Sequence, residues 1–169
     1  TPPEIVNPLP PQSAVRVPVE ASVEIEFSEK IDRDTFPEAI FISPDPGGEL
    51  KYKYSGRRVR IRFPKPLLPD RTYVLTIGTD LRDNHNVAMA SSFTLAFSTG
   101  DSIDRGEIAG RIFGESNPQG ILLWAYILPE QPDSAGIDPR QRSGDYVTQA
   151  GSDGAYRIPF IAGGSYRVF

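Results

Sequence analysis

Leu67-Leu68-Pro69-Asp70-Arg71-Thr72-Tyr73-Val74-Leu75-Thr76-Ile77 is the stretch that decides the fold. Leu67 and Pro69 turn the chain and Asp70-Arg71 make the bend. Tyr73, Leu75 and Ile77 then alternate with Thr72, Val74 and Thr76, the period-two pattern of a strand. A tyrosine at the entry of such a strand buries its ring and returns its hydroxyl to backbone just upstream. That is the tyrosine corner of Greek-key β-sandwiches. Tyr73, Leu67 and Pro69 are therefore assigned structural roles. The stretch fixes an architecture and no activity.

Strand patterns continue on both sides of the corner. In residues 22–27, Val23, Ile25 and Phe27 face one way and Ser22, Glu24 and Glu26 the other. Residues 39–43 form the next strand, stopped by Pro44-Asp45-Pro46-Gly47-Gly48. Residues 50–63 read as a hairpin around Ser55-Gly56, with Tyr52, Tyr54, Val59, Ile61 and Phe63 inward. Phe93, Leu95 and Phe97 share a face of a strand over 93–98. Residues 14–17 are a short strand candidate, and 32–36 a single helical turn capped by Asp32. Five prolines in residues 1–11 exclude a helix and a central strand there. Ile5-Val6 could add an edge strand, but a lead-in from an upstream tether is the preferred reading. With no sustained helical period before Gly100, residues 1–100 are expected to form one β-sandwich.

A second strand series follows a polar joint at 99–105. Its members are residues 107–113, 121–128, 145–149, 155–159 and 165–169. Ser152-Asp153-Gly154 and Ala162-Gly163-Gly164 make tight turns, and a long polar loop is expected over 129–144. The fold class is thus all-β, two tandem antiparallel β-sandwiches over 1–100 and 101–169. The pattern stops in mid-strand at Phe169, so the second sandwich is expected to be incomplete.

Bulk properties narrow the function classes. The chain has 169 residues, 38% hydrophobic and 24% charged, enough to bury a core. The 17 prolines and 15 glycines suit many short strands with many turns. A net charge of −4 argues against nucleic acid as the partner. No cysteine is present, which removes disulfides, thiolate metal sites and cysteine nucleophiles. No apolar run approaches the roughly 18 residues of a membrane span, and the opening on Thr1-Pro2-Pro3 reads as a mature or trimmed chain.

Several segments together carry a family resemblance. They are Ala14-Val15, Phe27-Ser28-Glu29-Lys30-Ile31-Asp32, the corner at 67–77, Asp83-Asn84 and Phe97-Ser98-Thr99. Residues 2–100 thereby resemble the S-layer-type bacterial Ig-like domain. The second part is similar to a carboxypeptidase-regulatory-like, prealbumin-type sandwich. Its carriers are Ile108-Ala109-Gly110-Arg111-Ile112, residues 121–126, Ser152-Asp153-Gly154-Ala155-Tyr156-Arg157-Ile158 and Gly163-Gly164-Ser165-Tyr166-Arg167-Val168. The order of Thr1-Pro2-Pro3, Ile42-Ser43-Pro44, Phe97-Ser98-Thr99-Gly100, Ile103-Asp104 and Tyr166-Arg167-Val168-Phe169 resembles Ig-like envelope lipoproteins of Bacteroidetes-type bacteria. That resemblance implies an extracytoplasmic, lipid-anchored protein, periplasmic or at the surface. The anchor would be a cysteine before the first Pro-Pro, outside this sequence. It implies envelope proteins or glycans as partners, and supplies no catalytic residues and no cofactor.

Three constellations are candidate sites. Lys51, Lys53, Arg58, Arg60 and Arg62 share the outward face of the hairpin, near Arg57 and Lys65. Such a stripe can hold an acidic polysaccharide or lipid headgroup. It is also the ordinary outer face of a half-exposed sheet, where Glu24 and Glu26 of the adjacent strand would pair with the arginines. Asp80, Asp83, Asn84 and Asn86 crowd one loop with His85. Their oxygens could hold calcium, although the spacing is not that of an EF-hand and Asp-Asn clusters make turns unaided. A single histidine without cysteine makes a poor zinc site. Trp124 and Tyr126 alternate with Leu123 and Ala125, so an exposed aromatic face could stack on sugar rings or pack on a neighbour. No nucleophile elbow, P-loop, H-E-x-x-H or dinucleotide glycine pattern occurs. The expected role is therefore a non-catalytic spacer or interaction scaffold, with glycan or acidic-polymer binding as the alternative.

Overall fold

A computed structural model describes residues 1–128, 137–141 and 144–169. It divides into two compact units, Thr1–Ile103 and Asp104–Phe169. The first unit contains β1 (Ile5–Leu9), β2 (Val23–Phe27), a helical turn α1 (Phe36–Ala39), β3 (Ile40–Ser43), β4 (Lys51–Ser55), β5 (Arg58–Arg62), β6 (Thr72–Ile77) and β7 (Phe93–Ser98). One sheet runs β1-β2-β5-β4 and the other β3-β6-β7, every neighbour antiparallel. Read in chain order, this is the four-plus-three arrangement of a constant-type immunoglobulin sandwich. The alternation in β2 and β5 sends Val23, Ile25, Phe27, Val59 and Ile61 into the core. There they meet Leu75, Ile77, Leu95 and Phe97 from the opposite sheet. Phe36 fills one end of the core, with its ring edge-on to Phe27, Tyr52 and Tyr54.

The corner before β6 forms as its sequence requires. The Leu68 N–H donates to the Tyr73 hydroxyl at 2.9 Å, while the Tyr73 ring stacks on Phe97 with centroids 5.8 Å apart. Leu67 is buried and donates its N–H to the Val19 carbonyl. Asp70 takes a positive φ at the bend. The Thr99 hydroxyl donates to the Leu68 carbonyl at 2.7 Å and accepts from the Arg71 N–H at 3.1 Å. The end of β7 is thereby tied to the corner. Thr72, Val74 and Thr76 are also buried, so alternation in β6 does not separate core from solvent.

Three local expectations are corrected. Residues 5–9 are an edge strand, not a lead-in: β1 bonds β2 alone, through a bulged register that places Pro8 opposite Ile25. An edge strand bonds on one side only, so a proline with no N–H is tolerated there. Residues 14–17 make no strand. They meet β7 through an isolated parallel bridge, Ala14 to Phe97, and positive φ at Ser13 and Arg16 breaks the run. The helical turn lies at Phe36–Ala39, after Thr35, rather than at 32–36. The Asp32 carboxylate accepts the Asp34 N–H two residues on and so makes a turn instead of a cap. Pro37 stands in the first turn of α1, where its fixed φ suits a helix start.

The second unit contains β8 (Gly106–Arg111), β9 (Leu122–Ile127), β10 (Tyr146–Gln149), β11 (Ala155–Ile161) and β12 (Tyr166–Val168). One sheet runs β10-β9-β12 and the other pairs β11 with β8, all antiparallel. Ala125, Tyr146, Ile158 and Ile161 form its core. β11 continues past Pro159 to Ile161. The register shifts between these two residues, where Phe160 takes a positive φ, and a proline is accommodated at such a bulge. Most of the loop expected at 129–144 lies outside the described residues.

Candidate functional site

The basic face lies on the outer side of the four-stranded sheet, where register sets the spacing of its charges. β5 stands between β2 and β4, so Arg60 is opposite Glu24 on one side and Lys53 on the other. Arg58 is likewise opposite Glu26 and Ser55. Arg60 reaches Glu24 Oε2 through Nε at 3.1 Å and Nη2 at 2.8 Å. Arg58 pairs with Glu26 at 3.2 Å, and Arg57 approaches the same carboxylate at 3.7 Å. The arginines of these pairs are about half exposed, so each pair contributes only about 0–1 kcal/mol. They nevertheless remove much of the positive field. Lys51, Lys53 and Arg62 form no ion pair among the described residues, and Lys51 faces Arg62 across the ladder. Of these, Lys51 and Arg62 stand at the end of the hairpin far from its turn and Lys53 at its middle, opposite Arg60. A shallow depression of about 210 Å³ lies between Glu24, Lys53, Ser55, Arg58 and Arg60. Beneath the face, burial pushes the Tyr52 phenol up to about 12, with Tyr54 adding to the shift.

The aromatic strand is not one exposed platform. Tyr126 is 1% exposed and meets Phe169 edge-on at 5.5 Å. Trp124 is half-buried. A Cβ on Gly144 would fall 3.0 Å from the Trp124 Cβ and 3.2 Å from its Cε3, so main chain lies against the indole. Both strand edges are occupied, since β9 stands between β10 and β12.

The residues of the polar loop differ sharply in burial. Asp80, Asn84 and Asn86 are exposed, and Asp83 is 2% exposed. Asp83 Oδ1 accepts the N–H groups of His85 and Val87, both at 2.8 Å. The Val87 amide is the main reason its carboxyl stays below the usual carboxylate range, against the opposing effect of burial. The cluster that does form is Glu29, Asp83 and His85. Glu29 was not singled out by sequence reasoning, because no local motif links it to a loop so much later in the chain.

A family model described as a bacterial Ig-like domain matches residues 1–99. No curated protein matches. Among solved structures, an L,D-transpeptidase from Mycobacterium smegmatis is similar at 17% identity and TM-score 0.46, covering 78% of this chain and 63% of its own. The surface layer protein SbsC, domains 1-6, is similar at 15% identity and TM-score 0.41, covering 91% of this chain and 18% of its own. Native alpha-2-macroglobulin from Escherichia coli, spanning domains MG0-NIE-MG1, is similar at 14% identity and TM-score 0.44, covering 99% and 66%. The chain thus spans less than two thirds of the transpeptidase and under one fifth of the surface-layer protein.

Proposed function

This chain belongs to the bacterial Ig-like domain family through residues 1–99, and from that premise we propose that it is a non-catalytic module of the bacterial cell envelope, a structural spacer or a scaffold for other envelope proteins. One observation carries the reading: the most conspicuous charged surface of the sandwich is largely satisfied within its own sheet, Arg60 by Glu24 and Arg58 by Glu26. A face whose arginines hold their own carboxylates stiffens a sheet; it does not present a converging set of reactive groups. The extracytoplasmic location and the N-terminal lipid anchor rest on the envelope-lipoprotein resemblance. The prealbumin-type reading of the second unit rests on its segment order and on a three-plus-two pairing of antiparallel strands. Incubating the chain with peptide, ester and glycan substrates tests the non-catalytic role. The expected result is no turnover. Hydrolysis abolished by substituting one carboxylate or His85 would overturn it.

A second reading has its own observation. Lys51, Lys53 and Arg62 stand together without carboxylate partners among the described residues, and Lys51 and Arg62 are direct neighbours. They suit an acidic glycan or other polyanion, bound in a salt-sensitive way. Trp124 is a weaker candidate for sugar stacking, and Tyr126 drops out because it is buried.

A further inference from the structure

The Asp83 side chain is 1% exposed, and its Oδ1 is occupied by two amide donors. Oδ2 faces the His85 ring, with Nδ1 at 3.6 Å. The Glu29 carboxyl lies within 4.8 Å of both groups. A separation of 3.6 Å is too long for a hydrogen bond. It is close to the distance of about 3.4 Å between two ligands of a tetrahedral zinc ion with bonds of about 2.1 Å. The ligand atoms of all three residues lie within 4.8 Å of one another, whereas one ion with bonds of about 2.1 Å spans at most about 4.2 Å between two ligands, so a small side-chain rotation, open to the exposed His85, brings the set onto a single ion.

We propose that Glu29, Asp83 and His85 bind a divalent cation of the zinc class. A lone imidazole is a poor zinc site by itself, but with the Asp83 carboxylate beside it and Glu29 brought from an earlier segment it becomes a mixed nitrogen and oxygen set that suits zinc and its neighbours, whereas calcium takes oxygen ligands alone. The main chain has already paid for the alignment. The Asp32 N–H donates to the Arg82 carbonyl at 2.8 Å, the Asn84 N–H donates to the Lys30 carbonyl at 3.3 Å, and Ile31 bridges Asp83. Glu29 therefore sits on a segment bonded to the loop that carries the other two ligands. The ion joins segment 29–32 to loop 80–88, with water in the remaining position. It adds a tie to the sandwich and does not depend on whether the basic face binds anything.

The chain has one histidine and no cysteine, so imidazole-dependent zinc binding has a single locus. Zinc chloride is titrated into the whole chain by calorimetry, while the imidazole nitrogen resonances are followed by NMR. The expected result is one ion per chain, with the His85 signals moving in step. Affinity should fall at least about tenfold in Glu29→Gln and in His85→Ala, the scale on which even supporting residues act. Calcium chloride should not compete. His85 is exposed, so His85→Ala keeps the fold and decides the matter even if Glu29→Gln does not. Absence of one-to-one binding, wild-type affinity in His85→Ala, or displacement by calcium would each overturn the proposal.

Discussion

Replacing Tyr73 with phenylalanine isolates the hydroxyl of the corner. The ring stays, and with it the stack on Phe97 at 5.8 Å and the contact with Phe63 at 6.4 Å. What is lost is the acceptor for the Leu68 N–H at 2.9 Å. Tyr73 is 2% exposed, so solvent does not readily take the place of its oxygen. Leaving a largely enclosed amide without a partner costs about 1–2 kcal/mol. With a urea slope of about 1.5 kcal/mol/M for a unit of this size, the midpoint should fall by about 1 M at constant slope. Tyr73→Ala, which also removes the ring, should lose about 3–5 kcal/mol. Far-UV circular dichroism reports both units and fluorescence of the only tryptophan, Trp124, reports the second, so the first unit is read from the part of the far-UV transition that Trp124 does not follow. Amide exchange at Leu68 should accelerate in parallel. A midpoint shift below about 0.2 M, or unchanged exchange at Leu68, would refute the idea that the hydroxyl holds the corner.

Other expectations concern charge, pH and backbone. A double-mutant cycle of Glu24→Gln with Arg60→Gln should give a coupling of about 0.2–1 kcal/mol that shrinks in high salt, as measured by urea unfolding. Tyr52 keeps its proton in the folded state up to about 12, against 10.0 for the free group. The stabilisation is therefore full below pH 10 and lost as pH rises from 10 towards 12. Tyr52→Phe should flatten this alkaline loss, read from urea midpoints across that range. Gly154 has φ +78°, and a Cβ there would sit 2.7 Å from the Ile112 carbonyl oxygen. Gly154→Ala should destabilise the second unit by about 1–2 kcal/mol, read from Trp124 fluorescence.

The parts of this structure that were legible in the sequence are those whose signal is local. Val23-Glu24-Ile25-Glu26-Phe27 and Arg58-Val59-Arg60-Ile61-Arg62 state their inward and outward faces by period alone. Once those faces are known, Glu24 against Arg60 and Glu26 against Arg58 follow from strand adjacency. The corner was legible because Tyr73 and its amide partner Leu68 are five residues apart. Failures arose where the deciding partner is remote or the rule is one-sided. Prolines in residues 1–11 hid β1, because they forbid a central strand and not an edge. Asp32 looked like a helix cap, yet its carboxylate serves the Asp34 amide. The alternation around Trp124 and Tyr126 could not say which ring is covered, since the cover on Tyr126 comes from Phe169 on a distant stretch. Glu29 joins Asp83 and His85 only through main-chain bonds between two segments that share no motif.

The central claim, a sandwich that scaffolds and does not capture polyanions, is tested most directly by one binding measurement. The whole chain is titrated with envelope glycans and with anionic lipid vesicles at low and high salt, beside a Lys51/Lys53/Arg62→Ser variant. The account predicts no saturable binding by either protein under any of these conditions. Saturable binding that weakens with salt and disappears in the variant would contradict it and make the hairpin face a ligand site.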